Sequence, residues 1–206
     1  WGLAGGLLIA VRPQNLVFMV LPAVDLWMIG WLQPGGNTGR RLLRALARGT
    51  LFALGVFIGF FHQMLAWRVI FGRWLVHAYA VDPANSFDFR CPAFLRVLFS
   101  PLHGLFTWTP VVLLAVLGLG WLARKDRGLA IRLSLAFLLH VYLVGSWSQW
   151  WAGASFGNRF FVGSTPIFTL GLGALIEEAG HYLRRPLLGG LAGGLILWNL
   201  LFFYQK

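Results

Sequence analysis

The chain has 206 residues, 58% hydrophobic and 11% charged, with a formal net charge of +11. A soluble domain carries about 25% charged residues, so this composition excludes an ordinary soluble protein. The excess positive charge would point to nucleic acid in a soluble protein, but here Lys and Arg cluster in short intervals between apolar runs. That pattern reports membrane topology, and no nucleic-acid partner is expected.

Apolar runs of roughly 18 residues recur along the chain, which is the mark of membrane-crossing helices. No soluble linker separates them, so residues 1–206 read as a single membrane domain. Cys91 is the single cysteine, which excludes an internal disulfide and a cysteine-based metal site.

In chain order, Gly2–Val11 is too short to span and reads as the end of a truncated helix. It starts at Trp1 without an initiator Met or a charged leader, so further spans are expected upstream. The polar break Arg12-Pro13-Gln14-Asn15 follows, with Pro13 suited to start the next helix. Asn15–Leu32 is the second run, with Pro22 as an expected kink and Asp25 near its middle. Gln33–Arg48 reads as a polar loop rich in arginine. Gly49–Phe71 is the third run, carrying His62, Gln63 and Arg68.

Gly72–His103 is the longest polar interval and holds Asp82, Asp88, Arg90 and Arg96. Its piece Pro92–Phe99 is amphipathic and suited to the membrane interface. Gly104–Leu122 is the fourth run and Ala123–Arg132 a short basic loop. Ile131–Gln149, carrying His140, is the fifth run. Phe161–Ile176, with Pro166 inside, is the sixth, and Leu187–Tyr204 follows the polar turn Glu177–Pro186. The expected fold is therefore an all-α polytopic transmembrane bundle of about six full spans plus the truncated N-terminal one.

Orientation follows from the basic residues. Arg40, Arg41, Arg44, Arg48, Arg124, Lys125, Arg127, Arg132, Arg184 and Arg185 crowd three short intervals. Those intervals read as cytoplasmic. Arg12–Asn15, Gly72–His103 and Trp150–Phe161 then face outward. Gly55/Gly59, Gly189/Gly193 and Gly190/Gly194 form GxxxG pairs, which read as helix-packing sites.

The chemistry-bearing stretch is Trp150–Phe161, with sequence WWAGASFGNRFF. Its polar middle does not suit a span. Two readings fit it. In one, Gly153 and Gly157 turn the backbone so that Ser155, Asn158 and Arg159 meet an anionic ligand, with Arg159 forking onto a phosphate. In the other, Trp147, Trp150, Trp151 and Phe156 form an aromatic belt and Arg159 snorkels to lipid headgroups.

Arg12 at an outer helix junction could hold a lipid phosphate, with Gln14 beside it. Asp25 is the one carboxylate well inside an apolar run. His140 fits a helix–helix hydrogen bond better than a ligand role. Ser100–Phe106 marks re-entry into the membrane, shaped by Pro101 and Gly104, with His103 expected at the lipid surface. Asp82 and Asp88 do not make a metal box, and no P-loop, dinucleotide fingerprint, HExxH or CxxC occurs. No cofactor is identifiable, although a divalent metal is compatible with the composition.

Taken together, Arg12-Pro13-Gln14-Asn15, SPLHGLFTWTP at Ser100–Pro110 and the Trp150–Phe161 stretch resemble the C-terminal half of bacterial polytopic glycosyltransferases of the GT-C superfamily. The nearest groups are the protein O-mannosyltransferases and the lipid A aminoarabinose transferases. The resemblance implies a GT-C-like fold in the bacterial cytoplasmic (inner) membrane. It implies a polyprenyl-phosphate sugar lipid as donor, membrane lipids as neighbours, and transfer on the external face. It makes Arg12, Gln14, His103, Ser155, Asn158 and Arg159 the candidate substrate-binding residues. The superfamily's catalytic carboxylate is expected upstream of Trp1. Two rivals stay open: a transporter or lipid flippase, and a non-catalytic membrane subunit.

Overall fold

The structure, a computed structural model, describes residues 1–32, 37–76, 85–153, 155 and 157–204. Asp82, Phe156 and Lys206 lie outside the described residues. All extended elements among those described are helices: α1 (Gly2–Val11), α2 (Val20–Leu32), α3 (Thr38–Phe71), α4 (Phe94–Phe99), α5 (Leu105–Trp108), α6 (Pro110–Lys125), α7 (Arg127–Ser146), α8 (Thr165–Tyr182) and α9 (Arg185–Tyr204). Two 3₁₀ helices, Pro13–Met19 and Arg159–Ser164, lead into α2 and α8. The chain divides into two compact units, Trp1–Val81 and Asp82–Lys206.

Three helical stretches are long and apolar enough to cross a membrane: Thr38–Phe71, Arg127–Ser146 and Arg159–Tyr182. At 1.5 Å per residue, α7 with its 20 residues measures roughly 30 Å, the thickness of a bilayer's hydrocarbon core. The apolar helices Gly2–Val11, Pro13–Leu26 and Pro186–Leu201 are shorter.

Several boundaries differ from the sequence reading, each for a local reason. The basic interval expected as a loop is helical from Thr38, so Arg40, Arg41, Arg44 and Arg48 ride on α3. Asn37 caps that helix by accepting from Arg40 N at 3.1 Å, and the Leu/Ala/Arg run behind it is a strong helix former. At the other end Gly72, with φ +71, stops α3 as its N–H bonds Arg68 O at 3.1 Å. The fourth run is broken at Thr109, because Pro110 opens α6 rather than continuing α5. Pro166 sits in the first turn of α8 and Pro22 in that of α2, each just after the chain changes from a 3₁₀ to an α-helix. Helix α8 runs on through Glu177 and Glu178 to Tyr182. There Glu177 pairs with Lys125, and Glu178 with Arg124 at 3.6 Å, tying the end of α8 to the end of α6.

Packing within each unit rests on small residues. In the first unit α1 lies against α3 with Gly2 and Gly6 facing Gly55 and Gly59. A Cβ on Gly6 would run into the Val56 carbonyl oxygen, and one on Gly59 into the Leu3 carbonyl oxygen. In the second unit Gly118 of α6 meets Gly171 of α8 just as closely. Such close backbone approach is how helices gain dispersion contact where lipid removes the hydrophobic drive to associate. Helix α7 buries Leu133, Phe137, His140, Val141 and Val144, a face spaced at three and four residues. The glycine pairs of α9 behave otherwise: a Cβ added at Gly189, Gly190, Gly193 or Gly194 would meet nothing within 4 Å among the described residues. Helix α9 is instead tied to α5 by Trp198 Nε1, which donates to Thr107 O at 3.1 Å.

Gly118→Val should therefore lower stability by on the order of 1–3 kcal/mol or more, whereas Gly193→Val should leave it nearly unchanged. Thermal unfolding of both variants in detergent is the check, and equal melting temperatures would remove the packing role assigned to Gly118.

Candidate functional site

The site is built in the second unit from two stretches, Ser100–Pro110 and Trp147–Ser164. The first is a compact turn. Gly104 N bonds Ser100 O at 2.8 Å, Thr107 Oγ1 donates to Phe99 O at 2.9 Å, and Trp108 Nε1 donates to Pro101 O at 2.9 Å. A Cβ at position 104 would collide with the Ser100 backbone, which is why glycine stands there.

The second stretch is folded around two carbonyls. His103 Nδ1 lies 2.7 Å from Trp151 O. A carbonyl only accepts, so Nδ1 carries the proton and the ring tautomer is set. Asn158 Nδ2 donates to the neighbouring carbonyl, Trp150 O, at 3.0 Å. The same Asn158 caps the 3₁₀ helix by accepting from Phe160 N at 3.3 Å. Ser155 Oγ lies 3.1 Å from Ala152 O and 3.2 Å from Gly157 O, closing the middle of the loop. The His103 and Trp108 rings are 5.0 Å apart, and a Cβ on Gly157 would rest 3.7 Å from Trp108 Cβ. The loop thus sits directly on the Ser100–Pro110 turn.

Backbone strain accompanies this closure. Ala152 is buried with φ +64, beside Gly153 at φ +67, and Gly157 has φ +57. A left-handed alanine costs roughly 1–2 kcal/mol, and it is held here by the surrounding bonds. The Arg159 guanidinium lies over this turn, with Nη2 4.0 Å from where a Gly153 Cβ would be. Arg159 itself is exposed.

Beneath the loop, His140 Nδ1 and Ser164 Oγ are 2.8 Å apart, and both residues are fully buried. The Phe161 ring lies 4.9 Å from the His140 ring. This is the hydrogen bond between segments anticipated for His140, and it pins the end of the 3₁₀ helix to α7. Interhelical hydrogen bonds of this kind contribute about 0.6 kcal/mol on average in bilayers.

Of the six candidate residues, four come together here: His103, Ser155, Asn158 and Arg159. His103 is buried rather than at the lipid surface, because its ring is drawn inward to the Trp151 carbonyl. His103, Ser155 and Asn158 shape the loop, and Arg159 is the cation it presents. Arg12 and Gln14 belong to the first unit, both half-buried. Arg12 stands in extended conformation between α1 and the Pro13 helix. Next to them Asn15 is buried and donates back to Leu8 O at 3.0 Å. Ser164 was not singled out in the sequence, where nothing marks a lone serine as the partner of a histidine 24 residues away.

No protein family, curated protein or solved structure matches this chain. No group of three or more His, Cys, Asp or Glu able to hold a metal occurs among the described residues. Asp88 is a turn residue whose Oδ1 accepts from Arg90 N at 2.9 Å and Cys91 N at 3.3 Å.

Asn158→Ala removes a buried donor from Trp150 O and the cap from Phe160 N. It should destabilise the second unit by about 1–3 kcal/mol and open residues 150–159 to limited proteolysis. Arg159→Ala, at an exposed position, should stay within about 0.5 kcal/mol of the parent. Matching protease resistance in the two variants would show that Asn158 does not hold the loop.

Proposed function

We propose that the chain is part of a membrane-embedded glycosyltransferase of GT-C type in the bacterial cytoplasmic membrane. In this reading a sugar moves from a polyprenyl-phosphate donor to an acceptor on the external face. The supporting observation is that Arg159 is exposed on a loop whose shape is held by Ser155, Asn158 and His103. The resemblance carried by Ser100–Pro110 and Trp150–Phe161 adds to it, since those two stretches pack on each other.

The chemistry is a displacement at the sugar's anomeric carbon. The acceptor hydroxyl forms the new glycosidic bond and loses its proton to a base. The bond from carbon to phosphate oxygen breaks, and polyprenyl phosphate leaves with added negative charge. A fixed guanidinium at that phosphate stabilises the departing charge more than the ground state, and its planar fork suits two phosphate oxygens at once. Preorganisation is the role of the bonds from His103 and Asn158: a loop already closed does not have to be ordered in the transition state. Arg12 and Gln14, in the first unit, are further candidates for contact with a lipid phosphate. No described residue is assigned as the base, and a divalent metal stays compatible with the reaction.

In the intact protein, Arg159→Ala should reduce release of polyprenyl phosphate from labelled polyprenyl-phosphate sugars by about 100-fold, with expression and melting temperature retained. Arg159→Lys should recover part of the loss, since a point charge replaces a bidentate fork. Full activity in the alanine variant would reduce Arg159 to a headgroup contact.

A further inference from the structure

The residues just before α4 are not a free loop. Residues 85–93 are laid along the end of α7 and the start of the Trp150 loop as a short strap. Phe87 makes an antiparallel bridge with Trp147. Asp88 N bonds Ser146 O at 2.7 Å, Ser148 N bonds Ser86 O at 2.9 Å, and Ala93 N bonds Gly145 O at 2.8 Å. Side chains add to the ladder: Ser86 N donates to Ser148 Oγ at 3.1 Å, Gln149 Nε2 to Asn85 Oδ1 at 2.6 Å, and Tyr142 OH to Phe89 O at 2.8 Å. Helix α4 then docks through Val97, which is 0% exposed.

Beside the exposed Ser86, Asp88 and Cys91, the strap and α4 turn a set of apolar side chains outward. Phe87, Phe89, Phe94 and Phe99 are each exposed by more than two fifths, and Leu95 is 75% exposed. The rings form a continuous series. Trp147 and Phe87 are 4.6 Å apart, Phe87 and Phe89 5.4 Å and nearly parallel, and Tyr142 is 6.0 Å from both Phe89 and Phe94. Arg90 and Arg96, both exposed, flank this surface.

We infer that segment 85–99 is an interfacial anchor whose partner is the headgroup–acyl boundary of a phospholipid bilayer, and that it sets the depth of the Trp150–Phe161 loop. The inference rests on the reading that α7 crosses a bilayer. The strap bonds to residues 145–148, where a helix about as long as the hydrocarbon core is thick comes to its end, so its surface lies at the boundary. Aromatic rings with flanking arginines have the chemistry of that layer: ring bodies enter the acyl region while guanidinium groups meet phosphates. The bonds Asp88 N to Ser146 O and Ser148 N to Ser86 O couple the strap rigidly to the segment leading into the loop. The anchor therefore limits how far Arg159 can rise above, or sink below, the phosphate plane.

Cys91 lies within the strap, is exposed, and is the single cysteine of this sequence, so it takes a nitroxide label directly. The intact protein, with any cysteine outside this sequence replaced, is labelled there and reconstituted into phosphatidylcholine–phosphatidylglycerol vesicles. Accessibility to oxygen and to a water-soluble nickel chelate gives the depth. A second label at Leu138→Cys in a Cys91→Ser background reads the lipid-facing side of α7, since Leu138 is 61% exposed. The expected result is an acyl-region signal at position 138 and a headgroup-level signal at Cys91. Phe94→Ser with Leu95→Ser should raise nickel accessibility at Cys91 several-fold, without change at position 138. A Cys91 label as accessible as one in free solution, with position 138 in the acyl region, overturns the anchor and leaves the bilayer reading intact. An aqueous signal at position 138 overturns both.

Discussion

Peptide groups placed among apolar helices must find hydrogen-bond partners within the protein, since an unpaired one costs several kcal/mol where water is excluded. The loop between α7 and α8 meets this constraint at Trp150 and Trp151. Their adjacent carbonyls are taken by Asn158 Nδ2 and His103 Nδ1. Both donors have to come from elsewhere, one from eight residues ahead and one from 48 residues behind. The loop, the Ser100–Pro110 turn and the 3₁₀ helix into α8 are consequently one hydrogen-bonded assembly. The left-handed Ala152 and the placement of Arg159 follow from it.

The same accounting separates architecture from function among the polar residues. His103, Ser155 and Asn158 all have the chemistry to bind a ligand, yet each is engaged by loop backbone. In the proposed reaction their contribution is positional. Arg159 differs in being exposed, with its guanidinium over the turn at Gly153. The strap at residues 85–93 repeats the principle on the other side of Trp147: part of its backbone bonds the end of α7 and Ser148, while Phe87 and Phe89 stay exposed.

Helix association obeys a second, independent constraint. Gly2, Gly6, Gly55 and Gly59 bring α1 and α3 to backbone contact, as Gly118 and Gly171 do for α6 and α8. The glycine-rich start of α9 has the same spacing, yet a Cβ added there would meet nothing within 4 Å among the described residues. Small-residue spacing permits close approach but does not create it; a matching surface on another helix must be brought into register.

Much of this was legible in the residues. The helical character, the end of α1 at Val11, the stop of α3 before Gly72 and the boundary set by Pro13 all depend on local stereochemistry: apolar runs, the fixed φ of proline, the permissive φ of glycine. The sequence also marked Trp150–Phe161 as a polar interruption and His140 as a residue seeking a hydrogen bond. It misjudged the basic stretch after Asn37, because arginines read as a loop are also good helix formers, and it placed His103 at the surface. Tertiary structure alone decided which carbonyl His103 would seek, that Ser164 would answer His140, which glycine pairs would close, and that the segment after Asn85 would zip onto Ser146–Ser148. Each of these joins residues far apart in the chain, and the geometry that lets them meet belongs to the packed helices rather than to any local run of residues.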